Sequence, residues 1–366
     1  RMSEDRRRSG AFNFMTLEPK WEPSDTQHEP PTVTIDNAVV EYGVHDGEVF
    51  RGEGLRRVSG LVKPADDAPG WFYFQLGEID DRGSAASREG VQVHGMWNFA
   101  TNEHWSTTTG LQLDPRTYVM CPQVVQAAWK GMNLEGRVSS VYERWSPDTP
   151  FSVTLTVDDV GLTLPIDAKQ FWARYRDGQV VPTTSQPRLH VNSGSIKVTN
   201  EAIELQKLSG DLLGSGEAPD VVGVPYLINA RLAPLPPMDW DNKEQWADLS
   251  LRTAPFDVSF QIEDFTVKRD TDGRMPALDL PVVVAKALAK FQLTDWSLSS
   301  TVQVTRGEAV KDASGAMVGA EPVTNGQAFI TNATGRYARF PYLLENIDAH
   351  LAFDNTKIDI DYVKGT

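Results

Sequence analysis

The residues of this 366-residue chain that could carry chemistry are few and scattered. Six histidines, His28, His45, His94, His104, His190 and His350, and one cysteine, Cys121, are spread over its length. His94 and His104 are the nearest pair, with Glu103 beside the second, but their spacing matches no common metal-ligand motif. The histidines therefore read as surface or strand-edge residues. Acids recur in pairs, Asp80-Asp81, Asp158-Asp159, Glu263-Asp264 and Asp359 with Asp361. Two carboxylates facing each other across a cleft would suit hydrolysis of a polysaccharide. Asp359 and Asp361, however, alternate with Ile358 and Ile360, which puts both on the polar side of a strand. Gly-x-Gly-x-x-Gly, a phosphate loop ending in Gly-Lys-Ser/Thr, His-Glu-x-x-His and Gly-x-Ser-x-Gly are all missing from the sequence. No enzymatic activity, cofactor or metal is expected. Cys121 can form no disulfide within the chain and reads as a small buried hydrophobe.

The formal net charge of −15 argues against nucleic acid as a partner, because affinity for phosphate backbones comes from lysine and arginine displacing counterions. It argues equally against an anionic membrane surface. The basic cluster Arg6-Arg7-Arg8 lies in a polar, proline-containing stretch, residues 1–31, that reads as a solvated leader or linker. No window is apolar for the eighteen or more residues of a membrane span. With Arg1 first and Thr366 last, the chain reads as a fragment of a longer protein.

The elements that must position these residues are strands, and one of them is repeated. Gly194 to Gly210 aligns without a gap on Ala349 to Gly365, 155 positions later. Apolar residues coincide at Ile196/Leu351, Val198/Phe353, Ile203/Ile358, Leu205/Ile360 and Leu208/Val363. Apolar and polar residues alternate on both sides of a short polar centre, so each copy reads as a β-hairpin with one apolar and one wet face. A second match, Pro122 to Leu134 on Pro281 to Leu293, has a similar offset of 159 and reads as a proline-opened helix running into a strand. Together they define a repeat of about 155 to 160 residues. A third pair, Val153 to Leu162 and Val258 to Val267, with a weaker relative in Val33 to Val40, reads either as a smaller recurring strand-acid-acid-strand element or as generic β sequence.

Many short alternating segments separated by turns such as Asp177-Gly178, Asp272-Gly273 and Thr324-Asn325-Gly326 predict a mainly β fold. Helix is expected only at 122–132, 242–249 and 281–290. The expected architecture is an elongated, repetitive antiparallel β-sheet curled into a groove, with a leader at 1–31 and two β-rich repeat regions, 32–215 and 216–366. The aromatics Trp71, Phe72, Tyr73, Phe74, Trp97, Phe99 and Trp105 cluster, and could stack sugars in a secreted β-sandwich or adhesin-like module that binds glycans. Trp71 to Phe74 reads more readily as a strand buried on both faces.

The hairpin Gly194 to Asp211 and the segment Gly335 to Gly365 resemble the AsmA-like proteins of the Gram-negative envelope, in which an apolar-x-apolar, turn, apolar-x-apolar, x-x-Leu-x-Gly unit recurs. The resemblance implies a non-enzymatic periplasmic protein, anchored to the inner membrane through a segment outside this sequence. Its β-groove would bind or bridge phospholipids or other acyl-chain lipids between the two membranes, or serve outer-membrane biogenesis alongside envelope proteins. Carried onto this sequence, Ile196, Val198, Ile203, Leu205, Leu351, Phe353, Ile358 and Ile360 would line the apolar interior. Acyl chains ask only for continuous apolar surface, at about 0.8 kcal/mol per buried methylene. The helical inserts and the tryptophans near 71–105 depart from the simplest form of such a protein.

Overall fold

The computed structural model describes residues 2–5, 31–46, 49–79, 90–118, 129, 133–147, 149–163, 172–176, 178–182, 188–199, 201–213, 222–233, 254–311, 313, 315, 317–337 and 342–366. Cys121, Asp80, Asp81, the segment 242–249 and most of 122–132 lie outside the described residues.

The chain opens with strands β1 (Met2–Asp5), β2 (Val33–Asp46), β3 (Val49–Pro64), β4 (Trp71–Glu78), β5 (Gln92–Asn98) and β6 (Glu103–Gln112). A short helix, α1 (Pro115–Tyr118), precedes β7 (Glu135–Ser146) and β8 (Thr149–Thr163). Next come β9 (Trp172–Arg176), β10 (Gln179–Pro182), β11 (Arg188–Thr199), β12 (Ile203–Leu213), β13 (Val224–Leu232) and β14 (Phe256–Val267). β15 (Leu278–Pro281) leads into helix α2 (Val282–Phe291) and then β16 (Asp295–Arg306). The short β17 (Val310–Lys311) and β18 (Met317–Val318) pair with each other before β19 (Val323–Gly335), β20 (Leu344–Asp354) and β21 (Ile358–Lys364).

Sixteen of these strands form one sheet in the order β1 to β8, β11 to β14, β16, β19, β20, β21. Every neighbouring pair is antiparallel except β1 with β2. Alternation is the cause. In β14 Phe256, Val258, Phe260 and Ile262 take one face while Asp257, Ser259 and Gln261 take the other. The mainly β, antiparallel fold agrees with the sequence reading. Among the described residues no sheet is strongly curled, and a groove is not shown. Consistent with that, β3 to β6 pair without a single register shift, and bulges are the usual device that bends strands.

One part of the apolar face is capped. β10, β9 and β15 form a separate three-stranded sheet, and α2 packs against all three. Tyr175 and Leu278 of this cap are fully buried and join Leu212, Val224, Tyr226, Phe265, Val267 and Trp296 of the large sheet in one core. The Tyr175 hydroxyl donates to the Leu293 carbonyl at 3.0 Å. Arg174 clamps the buried Asp279 carboxylate through two hydrogen bonds of 2.8 and 3.1 Å, fixing β9 to β15.

Two pairs of residues equivalent in the second sequence match can be compared, because both members of each lie among the described residues. Asn133 and Gln292, equivalent at the offset of 159, both adopt left-handed φ, 49° and 43°, just ahead of β7 and β16. Trp129 and Leu288, also equivalent, are both buried.

Candidate functional site: the apolar face of the sheet

The first repeated hairpin is β11 with β12. Ile196 lies opposite Leu205 and Val198 opposite Ile203, so the four share one face. Each belongs to a row that crosses the sheet. One row runs Val141, Leu155, Ile196, Leu205, Ala230, Val258, Val304 through seven strands. The adjacent row runs Val153, Val198, Ile203, Leu232, Phe256. Ile196 and Leu205 are half-buried against a cluster of Val138, Val157, Val160, Val191 and Leu208. Every member of that cluster lies in a strand of the sheet, and all five are buried.

The second hairpin is β20 with β21. Leu351 lies opposite Ile360 and Phe353 opposite Ile358, and the Phe353 ring lies against Gly326 of β19. Leu351 and Phe353 are half-buried, whereas Ile358 and Ile360 are 62% and 57% exposed at the rim of the sheet. The eight sequence-selected residues therefore fall on the same face in two separate groups. Between them the face continues through Phe260, Val302 and Gly326 to Phe353.

Among the described residues two close polar pairs lie on the face. Ser106, 3% exposed, donates to Glu143 Oε1 at 2.8 Å, and its neighbour His104 is held below its ordinary pKa by burial, against the raising pull of the Glu143 carboxylate. Arg56 and Glu78, both largely buried, pair at 2.6 Å. Around His104 runs an aromatic row: Phe72 meets Phe99 edge-on at 5.1 Å, Trp97 stacks on Phe99 at 5.2 Å, and His104 stacks on Trp145 at 6.0 Å. Trp71 to Phe74 is not the doubly buried strand the sequence suggested. Its side chains alternate between faces, and all four remain partly exposed, because β4 lies away from the cap.

His94 and His104 point to opposite faces, since His104 pairs with Trp97 and His94 with Thr107 on strands where facing alternates. Among the described residues no group of three metal-binding side chains forms. A cleft of about 710 Å³ opens at the rim of the cap, lined by Arg176, Thr266, Lys268, Asp270, Arg274 and Met275, and its walls mix charge with apolar surface.

Two of the acid pairs, and the related Asp36-Asn37, prove to be architecture. Asp36-Asn37, Asp158-Asp159 and Glu263-Asp264 each occupy a β-bulge, where the register slips between Ile35 and Ala38, at Asp158, and between Ile262 and Phe265. The strand-acid-acid-strand element of the sequence is thus a bulged strand. Asn37 and Asp264 have left-handed φ of 50° and 47°, which Asn and Asp tolerate better than most residues. Sequence reasoning missed what holds the bulges at Asn37 and Asp264 and two further ones, between Leu205 and Leu208 and between Ile330 and Ala333. The Asn37 amide donates to Ser59 Oγ, Lys207 to Asn229 Oδ1, Asp264 to Ser299 Oγ and Asn332 to Asp348 Oδ1, at 2.9 to 3.1 Å. In each case a polar side chain on the next strand captures the amide that the bulge frees. Asp359 and Asp361 are on the wet face, with Lys357 Nζ and His350 Nδ1 each at 2.7 Å.

No protein-family model, curated protein or solved structure matches this chain.

Proposed function

We propose that this chain is a non-enzymatic, AsmA-like protein of the Gram-negative envelope that holds phospholipid acyl chains on the uncapped part of its apolar face. It would act in the periplasm, anchored through a segment outside this sequence, with the face forming the wall of a groove between the two membranes. The observation that carries the reading is the apolar row from Val141 to Val304, of which Val141, Leu155, Ile196 and Leu205 are half-buried against a cluster of strand valines and Leu208. At about 4.8 Å per strand the row extends roughly 29 Å, a path on which an acyl chain exchanges water for methyl groups all along its length.

The test is lipid extraction from the purified chain followed by mass spectrometry. Co-purified phospholipid is expected, and Val198→Glu or Phe353→Glu should abolish it while the circular dichroism of the sheet persists. Folded protein free of lipid, or lipid retained by both variants, overturns the reading. The aromatic row supports a second reading, glycan binding. Its rings already stack on one another, which leaves fewer faces for sugars, and glycan binding lost on Trp97→Ala would be needed to favour it.

A further inference from the structure

Glu143 carries a charge that no neighbouring side chain balances. It continues the apolar row Val153, Val198, Ile203, Leu232, Phe256 by one strand, standing opposite Val153 of β8 and Ser106 of β6. Beyond Ser106 the row passes through Gly95 to Phe74, whose ring lies against Gly95. Along β7 its neighbours on the same face are Val141 and Trp145, and opposite Trp145 come His104 and then Trp97. None of these is lysine or arginine, and Arg144 takes the opposite face with Trp105. The Ser106 hydroxyl donates to Oε1 at 2.8 Å, and among the described residues no cation pairs with the carboxylate. Burial holds His104 below its ordinary pKa, so near neutral pH it leaves the Glu143 charge in place.

Glu78 shows what is missing. It also lies on this face, two residues from Leu76, and Arg56 meets it at 2.6 Å. A half-buried carboxylate loses hydration, and a cation ordinarily compensates. At Glu143 only a hydroxyl does so, and the surroundings are rings. The Trp97 and His104 centroids lie 5.5 Å apart, and those of His104 and Trp145 6.0 Å. A carboxylate among aromatic rings suits an alkylammonium group: the acid meets the charge, and the rings meet the polarised carbons bound to nitrogen. An anion would be repelled.

We infer that Glu143, with Trp97, His104 and Trp145 beside it, binds the ammonium group of an organic cation. Resting on the function proposed above, that group is the headgroup of a phospholipid whose acyl chains lie along the row beginning at Val153, one strand or about 4.8 Å away.

The experiment titrates the full chain calorimetrically with choline and with its uncharged isostere, in which carbon replaces the nitrogen. Choline should bind at least tenfold more tightly than the isostere. Glu143→Gln keeps an acceptor for the Ser106 hydroxyl and should weaken choline at least tenfold while the circular dichroism of the sheet persists. Dihexanoyl phosphatidylcholine below its micellar concentration should bind more tightly than choline, which assigns the site to a headgroup. Equal affinity would assign it to the free cation and keep the ammonium site without the lipid. Choline that fails to bind, that binds no better than the isostere, or that binds Glu143→Gln unchanged overturns the inference. Phospholipid that still co-purifies in that event leaves the reading of the apolar row standing.

Discussion

The two copies of the repeated hairpin make the same local structure in different surroundings. In the first, the Thr199 amide donates to the Ala202 carbonyl at 2.9 Å, while Thr199 Oγ1 accepts from the amides of Glu201 and Ala202. In the second, the Asp354 amide donates to the Lys357 carbonyl at 3.0 Å, and Asp354 Oδ1 accepts from the amides of Thr356 and Lys357. The turn chemistry is conserved bond for bond at an offset of 155. Burial is not: Leu208 is 7% exposed and its equivalent Val363 is 53%. The hairpin is therefore a local property of sequence, while the energy drawn from it depends on how far its side chains are buried.

The sharpest way to break this comparison is to truncate the equivalent apolar residues. Leu208→Ala should cost about 3 kcal/mol in urea unfolding, as loss of a buried leucine does. Val363→Ala should cost less than about 0.5 kcal/mol, as exposed positions do. Equal losses would mean that the second hairpin is as well covered as the first.

A smaller but cleaner effect is expected at the closing glycines. A Cβ on Gly210 would sit 1.8 Å from the His190 carbonyl oxygen, a backbone atom of the neighbouring strand that cannot yield without loss of the ladder. The equivalent contact of Gly365, to the Glu345 carbonyl oxygen, is 3.3 Å. Gly210→Ala should cost about 2 kcal/mol, the scale of overpacking. Gly365→Ala should stay within about 0.5 kcal/mol. Matching thermal midpoints for the two variants would show that the close approach in the first copy is relieved by a small shift.

The same contrast explains what the sequence could reveal. Ile196, Val198, Ile203 and Leu205 were legible as one face because alternation and turn chemistry act over a few residues. The function of Glu263-Asp264 was not legible, since a bulge exists only relative to its partner, here β16, more than thirty residues away. Left-handed Asp264 and Asn37 left a faint trace in their residue types alone. The cap was hidden for a similar reason: Trp172–Arg176 pairs with Leu278–Pro281, across about a hundred residues of intervening chain. Without the cap, no reading of periodicity could separate the capped apolar core around Phe265 and Trp296 from the half-buried surface around Ile196. The ladder of alternating charge Lys197, Glu204, Arg231, Asp257 was hidden too, because it needs the order of four strands.

The least costly difference between the copies lies in their turns, where a threonine in one is an aspartate in the other. Hydrogen bonds from the Thr356 hydroxyl and amide and from the Lys357 amide, with the Lys357 charge adding to them, hold the exposed Asp354 carboxyl below its usual range. A carboxylate whose folded pKa is depressed stabilises the turn above its unfolded value of about 3.9, and that contribution disappears as pH falls through the lower folded value. Thr199 has no proton to gain in this range. Amide protection, corrected for intrinsic exchange, should therefore drop between pH 5 and pH 2 at Thr356 and Lys357 and hold at Glu201 and Ala202. Asp354→Thr should make the second turn as indifferent to acid as the first. Parallel loss at both turns would place the acid-sensitive group elsewhere in the sheet and leave the two hairpins distinguished by their neighbours alone.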